Sequence, residues 1–163
     1  MTTEQLRHRM PPILKALKER SLRGRTPVAG LRRTECAYHG WDTVHADAAS
    51  WEPFAPGDAF GGLEAHHCFK GTVTLPEASA GKRVVCLVST GASDIWNNNN
   101  PQFLAYVDGR LVCGLDVNHN EFDLAACAVP GESHELALYV YCNTPARDVF
   151  LRVETAERDD DVT

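Results

Sequence analysis

A chain of 163 residues, 44% hydrophobic and 23% charged, is long enough to bury one core without disulfide or metal staples. It contains no apolar run of the roughly 18 to 20 residues that a membrane span needs. Nine of its sixteen Lys and Arg but two of its twenty-two acids lie in residues 1–33, so a head of +7 precedes a remainder of −13. The acidic body repels phosphate, and the basic residues are scattered along a helix with few aromatics. This argues against nucleic acid as a partner and for a basic segment docked on an acidic surface.

In chain order, Leu6, Met10, Ile13 or Leu14, and Leu17 recur every three to four residues and predict a helix over the first twenty residues. Thr2 or Thr3 is its cap. Pro11 and Pro12 remove donors from the middle, so a short piece and then a better helix from Pro12 are expected. No signal-peptide core precedes a small-residue cleavage site, which leaves the cytoplasm as the expected location. Residues 21–30, SLRGRTPVAG, read as a linker. The expected division is a basic helical segment and linker over 1–33, a sandwich over 34–155 and a disordered acidic tail over 156–163.

From Thr34 the pattern changes to period two. Candidate strands are Cys36–Tyr38, His67–Leu75, Arg83–Ser89, Phe103–Val107, Leu111–Cys113, Phe122–Ala125, Glu135–Tyr141 and Val149–Val153. Turn formers separate them: Pro76, Gly81, Asp108-Gly109, Pro130-Gly131 and Asn143-Thr144-Pro145. Asp108-Gly109 between two apolar runs is a two-residue hairpin signal. Seven or eight short strands without an intervening helix predict a mainly β fold, an antiparallel β-sandwich or jelly roll with a short N-terminal helical segment. The run Asn97–Asn100 before Pro101 reads as an exposed loop. The six cysteines are widely spaced inside apolar runs, with no CxxC pair, and read as buried free thiols rather than disulfides or a zinc site.

For catalysis the candidates are thin. Asp58 with Glu64, or Asp116 with Glu121, are the available carboxylate pairs, at spacings common by chance. There is no nucleophile elbow, phosphate loop or HExxH. His66 and His67, adjacent on a strand, point to opposite faces and cannot share a metal. Asp116-Val-Asn-His119 can hold a cation or meet a sugar hydroxyl, or Asp116 and Asn118 can simply hold their own turn. Trp41, Trp51 and Trp96 can each stack on a sugar face or fill a core edge or interdomain seam. The stretch Trp51–Phe69 is the most distinctive. Two turns, at Pro56-Gly57 and Gly61-Gly62, bracket Phe60 in a loop carrying Trp51, Asp58, Phe60, Glu64 and His66, which either meets a partner or caps the sandwich.

Several motifs follow in order: W-x-x-F-x-P-G-D-x-F-G-G at Trp51–Gly62, A-H-H-C-F at Ala65–Phe69, T-L-P at Thr74–Pro76, A-G-K at Ala80–Lys82, F-L-A-Y-V-D-G at Phe103–Gly109 and V-C-G-L-D-V-N-H at Val112–His119. Together they resemble the N-terminal domain of family 38 glycoside hydrolases, the α-mannosidases of the cytosolic and bacterial type. The resemblance covers Trp51 to Tyr141. It implies a galactose-binding-type jelly roll, without catalytic or metal-binding residues of its own, ahead of a catalytic domain that holds zinc and an aspartate nucleophile.

The expected role is therefore to pack against a catalytic domain of the same polypeptide, shape the rim of its sugar site and support oligomer contacts. Candidate contact residues are Trp51, Asp58, Phe60, Glu64, His66, Trp96, Asp116 and His119. The alternative is an independent carbohydrate-binding module or lectin.

Overall fold

Alternation along HCFKGTVTL sends Phe69, Val73 and Leu75 one way and Cys68 and Lys70 the other. The structure is a computed structural model that describes residues 3–90 and 101–159. In it Phe69, Val73 and Leu75 lie in the main core, while Cys68 belongs to a separate cluster on the opposite side of the strand. Trp96 and Asn97–Asn100 fall outside the described residues.

Among the described residues two α-helices and ten strands, with a 3-10 turn at Glu77–Ser79, build the fold: α1 (Thr3–Arg20), β1 (Leu22–Pro27), β2 (Arg32–Glu35), α2 (Trp41–His45), β3 (Glu52–Pro53), β4 (Ala59–Thr74), β5 (Arg83–Ser89), β6 (Gln102–Val107), β7 (Arg110–Leu115), β8 (Glu121–Ala125), β9 (Ser133–Phe150) and β10 (Arg152–Arg158). They form a six-stranded sheet, ordered β3-β2-β4-β9-β6-β7, and a four-stranded sheet, ordered β1-β10-β5-β8. Every pairing is antiparallel. From β4 onward the chain crosses from one sheet to the other at each connection except the β6–β7 hairpin, as in a jelly roll. The molecule is a mainly β antiparallel sandwich with a helical N-terminal segment.

Phe60, Phe69, Cys86, Val88, Phe103, Leu136, Leu138 and Val140 fill the space between the sheets. In the β6–β7 hairpin Asp108 (φ 50) and Gly109 (φ 74) both take the left-handed conformation that a two-residue turn requires, with Val107 paired to Arg110.

Several expectations need correction. α1 is one helix through Pro11 and Pro12. Both prolines are exposed, so water can stand in for the missing donors. Residues 22–27, read as linker, are edge strand β1 on β10; an edge tolerates polar side chains and the terminal Pro27. The supposed tail starts inside the sheet, since Ala156 is buried and Arg158 pairs across to Arg83. Cys36–Tyr38 lies beyond the end of β2, and α2 follows it. The Asn143-Thr144-Pro145 turn is instead part of β9. No helix of the described residues is long and apolar enough to cross a membrane.

The basic head meets the acidic body within this chain. Arg23 lies 2.6 Å from Asp159, Arg25 lies 3.7 Å from Glu154 and Lys18 lies 3.6 Å from Glu121. Arg158 also pairs with the Glu121 carboxylate and donates to the Ser21 hydroxyl at 2.5 Å.

Phe60 is fully buried against Phe54 and Phe69, with ring centroids 6.3 and 5.0 Å away. Phe60→Ala is expected to cost about 3–5 kcal/mol in urea unfolding. A loss below about 1 kcal/mol would place this ring outside the core. α2 is pinned to the β6–β7 turn by His45, whose Nδ1 lies 2.8 Å from the Trp41 carbonyl and Nε2 2.9 Å from the Gly109 carbonyl. Both nitrogens can donate together in the imidazolium alone. The Trp41 carbonyl first, then that of Gly109, raises the His45 pKa. The contribution is therefore full below the unfolded value of about 6.5 and fades as pH rises through the higher folded value. An NMR titration of the His45 ring should give a midpoint above about 6.5; a midpoint at or below that value contradicts the double hydrogen bond.

Candidate functional site

The outward face of β9 carries Tyr139 and Tyr141, two residues apart and opposite to the core residues Leu138 and Val140. β6 lies alongside, pairing Gln102 with Tyr141 and Leu104 with Tyr139. On the far side, β4 sets His66 opposite Tyr141 and Cys68 opposite Tyr139. The turn after β2, Ala37–Gly40, folds over this surface and brings Tyr38 and His39 to its edge. The turn after β7 closes the other end with Asp116 and His119. The result is an open groove of about 570 Å³ on the outer face of the six-stranded sheet.

Its wall is tied together at the Tyr139 hydroxyl. This oxygen accepts the His39 backbone N–H at 3.3 Å and lies 2.7 Å from His66 Nδ1, to which it donates when that nitrogen is unprotonated. His66 stacks beside Tyr139, 5.9 Å between centroids, and meets Tyr38 edge-on at 5.7 Å. Burial pushes the Tyr139 pKa up, so the hydroxyl keeps its proton. Gly40 (φ 53) sits so close that a Cβ there would lie 2.5 Å from the Tyr139 ring and 3.2 Å from the Cys68 sulfur. Only glycine allows the turn to lie this near.

At the other end Asp116 Oδ1 accepts the backbone N–H of Asn118 and of His119, both at 2.7 Å. The His119 N–H first, and then that of Asn118, holds the carboxyl below the usual carboxylate range. Asp116 therefore holds its own turn, and the His119 side chain, 82% exposed, is left projecting beside the groove. Among the described residues no Lys or Arg lines the groove, and Asp116 is the one acid that does. Such a surface offers aromatic faces, hydroxyls, imidazoles and the Gln102 amide. It can stack on and hydrogen-bond a neutral polyol, and it holds no fixed cation for an anion.

Of the residues named from sequence, the structure sets Asp116 and His119 in the lining of this groove, while His66 stands outside the lining and supports Tyr139. Trp51 is half-buried at the small cluster of Val44, Cys68, Tyr106, Ala137 and Tyr139 under α2, and its carbonyl accepts from Arg32 at 2.9 Å. Asp58 closes its own turn by accepting the Ala55 N–H at 2.7 Å. Glu64 is exposed in a strand bulge with φ 51. Phe60, expected at a contact surface, is instead a core residue. Gly61-Gly62 forms a bulge inside β4 rather than a turn outside it, and the shifted register turns Phe60 inward. Trp96 lies outside the described residues. His67 points opposite to His66, into the Phe60–Phe69 cluster. Glu121 joins no pair with Asp116, being held by Arg158 and Lys18. Among the described residues no three His, Cys, Asp or Glu are grouped to hold a metal ion. Sequence reasoning missed Tyr38, His39, Gln102, Tyr139 and Tyr141. The signal for the last two was present in LYVYC, where tyrosines alternate with core residues.

No family model matches this sequence, and no curated protein matches it. Solved structures do match in fold. A β-glucuronidase from Ruminococcus gnavus superposes with a TM-score of 0.59 at 9% identity, covering 84% of this chain and 29% of that one. A β-glucuronidase from Bacteroides uniformis gives 0.57 at 11%, covering 82% and 18%. One from Faecalibacterium prausnitzii gives 0.51 at 14%, covering 84% and 32%. The chain spans less than a third of the length of these proteins. The likeness is one of fold. It also overturns the resemblance to family 38 α-mannosidases, because the neighbours are β-glucuronidases. The expected zinc in a companion domain rested on that resemblance and loses its support with it.

Proposed function

We propose that this chain is a non-catalytic β-sandwich domain of a carbohydrate-processing protein, and that the groove on its large sheet contacts neutral sugar. The observation that carries the reading is the groove itself. Its tyrosines, imidazoles and amide suit the apolar face and hydroxyls of a pyranose, and among the described residues no Lys or Arg stands ready for a carboxylate. The fold likeness supports the reading, since β-glucuronidases contain this sandwich as a minor part of their length. A catalytic partner on the same polypeptide fits that proportion. Asp116, its carboxylate committed to two backbone N–H groups and held ionised, is suited to shaping the site and unsuited to donating a proton.

A second reading is an independent carbohydrate-binding module, in which the aromatic and polar side chains that this chain itself brings to the groove are enough for binding. The two readings share the contact and differ in whether a partner is needed. Titration of the chain with D-mannose, D-galactose and D-glucuronate, followed by Trp and Tyr fluorescence, tests them. Saturation by a neutral sugar on the order of 1–10 mM is expected, with glucuronate weaker. Tyr141→Ala should weaken binding by about tenfold, the loss of one stacking contact. Full binding in the isolated chain favours the module, whereas binding that appears only when a catalytic domain is joined favours the accessory domain. Silence with every sugar in both settings removes the groove from either account.

A further inference from the structure

We propose that Cys36 and Cys68 are a disulfide-forming pair, closed by exchange with a low-molecular-weight disulfide, that fastens the Tyr38–His39 turn to the wall of the groove. The two sulfurs already stand 3.4 Å apart. They come from neighbouring chain segments: Thr34 pairs with Cys68 across β2 and β4, and the Cys36 N–H bonds the His66 carbonyl at 3.0 Å. Cys36 and Cys68 are thus diagonal neighbours on one side of the ladder, the outer side. Closing from that separation to a bond of about 2.05 Å takes a rotation of both side chains and, for a diagonal pair, a small approach of the two backbone segments.

The two thiols differ in access and in chemistry. Cys36 is half-exposed and Cys68 is fully buried. The Cys68 thiol donates its hydrogen bond to the Cys36 sulfur. That contact holds the Cys36 pKa below the ordinary thiol range and pushes Cys68 above it. Cys36 is therefore the attacking thiolate and Cys68 the resolving thiol. Cys86 and Cys142 lie in the intersheet core, pushed up to about 12 by burial, and are inert by comparison.

The exchange balances in two steps. The Cys36 thiolate attacks one sulfur of glutathione disulfide, forming a mixed disulfide and releasing one glutathione thiolate. Cys68 then gives up its proton to that thiolate and attacks the Cys36 sulfur, and the second glutathione leaves as a thiolate that is protonated by solvent. Two protein thiols are oxidised and one glutathione disulfide is reduced to two thiols. The bond anchors the chain at the residue preceding the Ala37–Gly40 turn. That turn already rests on Cys68 and Tyr139, as the close approach of Gly40 requires.

The test is oxidation of the Cys127→Ser chain, which lacks the exposed thiol, in glutathione disulfide, with an acid quench. Intact mass should fall by two hydrogens, and digestion should yield one peptide pair joined through Cys36 and Cys68. The melting temperature should rise on the order of 5 °C, and Cys36→Ser should abolish all three changes. A stable glutathione adduct on Cys36 or a bond that maps to other cysteines overturns the proposal. So does an unchanged mass in a buffer that oxidises a reference dithiol. The effect on the groove rests on the carbohydrate reading: neutral-sugar affinity should differ severalfold between the oxidised and reduced chains. A chain that forms the bond yet binds no sugar in either state refutes that reading and upholds the thiol pair.

Discussion

The ladder between β4 and β9 is the constraint from which the rest of the molecule follows. Its register runs from Ala59 opposite Phe150 to Thr74 opposite Ser133, longer than any other pairing in either sheet. It assigns the side chains of Phe69, Leu138 and Val140 to the core and those of Cys68, Tyr139 and Tyr141 to the outer face. A slip of one residue would bury Tyr139 and Tyr141 and expose Leu138 and Val140. The bulges at Phe60–Gly62 and Gly62–Ala65 shift the pairing midway, so that Phe60 is buried although it lies beyond two glycines that look like a turn. The groove and the core are two faces of one register.

Above the outer face, α2 is a five-residue helix that nucleation alone would not sustain. It stands because Val44 fits among Cys68, Tyr106, Ala137 and Tyr139. Lys70, buried on β4, donates to the Ala46 carbonyl at 2.8 Å where the helix ends and pairs with Glu135 at 3.0 Å. A lysine so enclosed is tolerated because both contacts satisfy it. The covered part of the face and the open part, the groove, adjoin at Tyr139. Groups that order the helix and groups that line the groove are therefore mechanically close.

The motifs behind the mannosidase resemblance can now be assigned to physical duties. Asp108-Gly109 is demanded by a hairpin with two left-handed residues, Gly61-Gly62 by a bulge, Pro56-Gly57-Asp58 by a turn closed on Ala55, and Asp116 by its bonds to Asn118 and His119. Such requirements recur wherever strands cross between two sheets. The order of the motifs therefore reported the sandwich and not the enzyme family.

By itself the sequence determined what depends on neighbouring residues: strands with period-two alternation such as Phe122–Ala125, the Asp108-Gly109 hairpin, and the opposed directions of His66 and His67. These rest on local backbone geometry, which a short window of residues specifies. Tertiary structure decided the remainder. Polar residues 22–27 become a strand because β10 supplies the hydrogen bonds. Residues 143–150 stay extended because β4 continues beside them. The groove is assembled from Tyr38, Tyr139 and Asp116, which are far apart in the chain and meet when β4, β9, β6 and β7 lie side by side. Their meeting depends on long-range register, and no local pattern encodes which strands become neighbours.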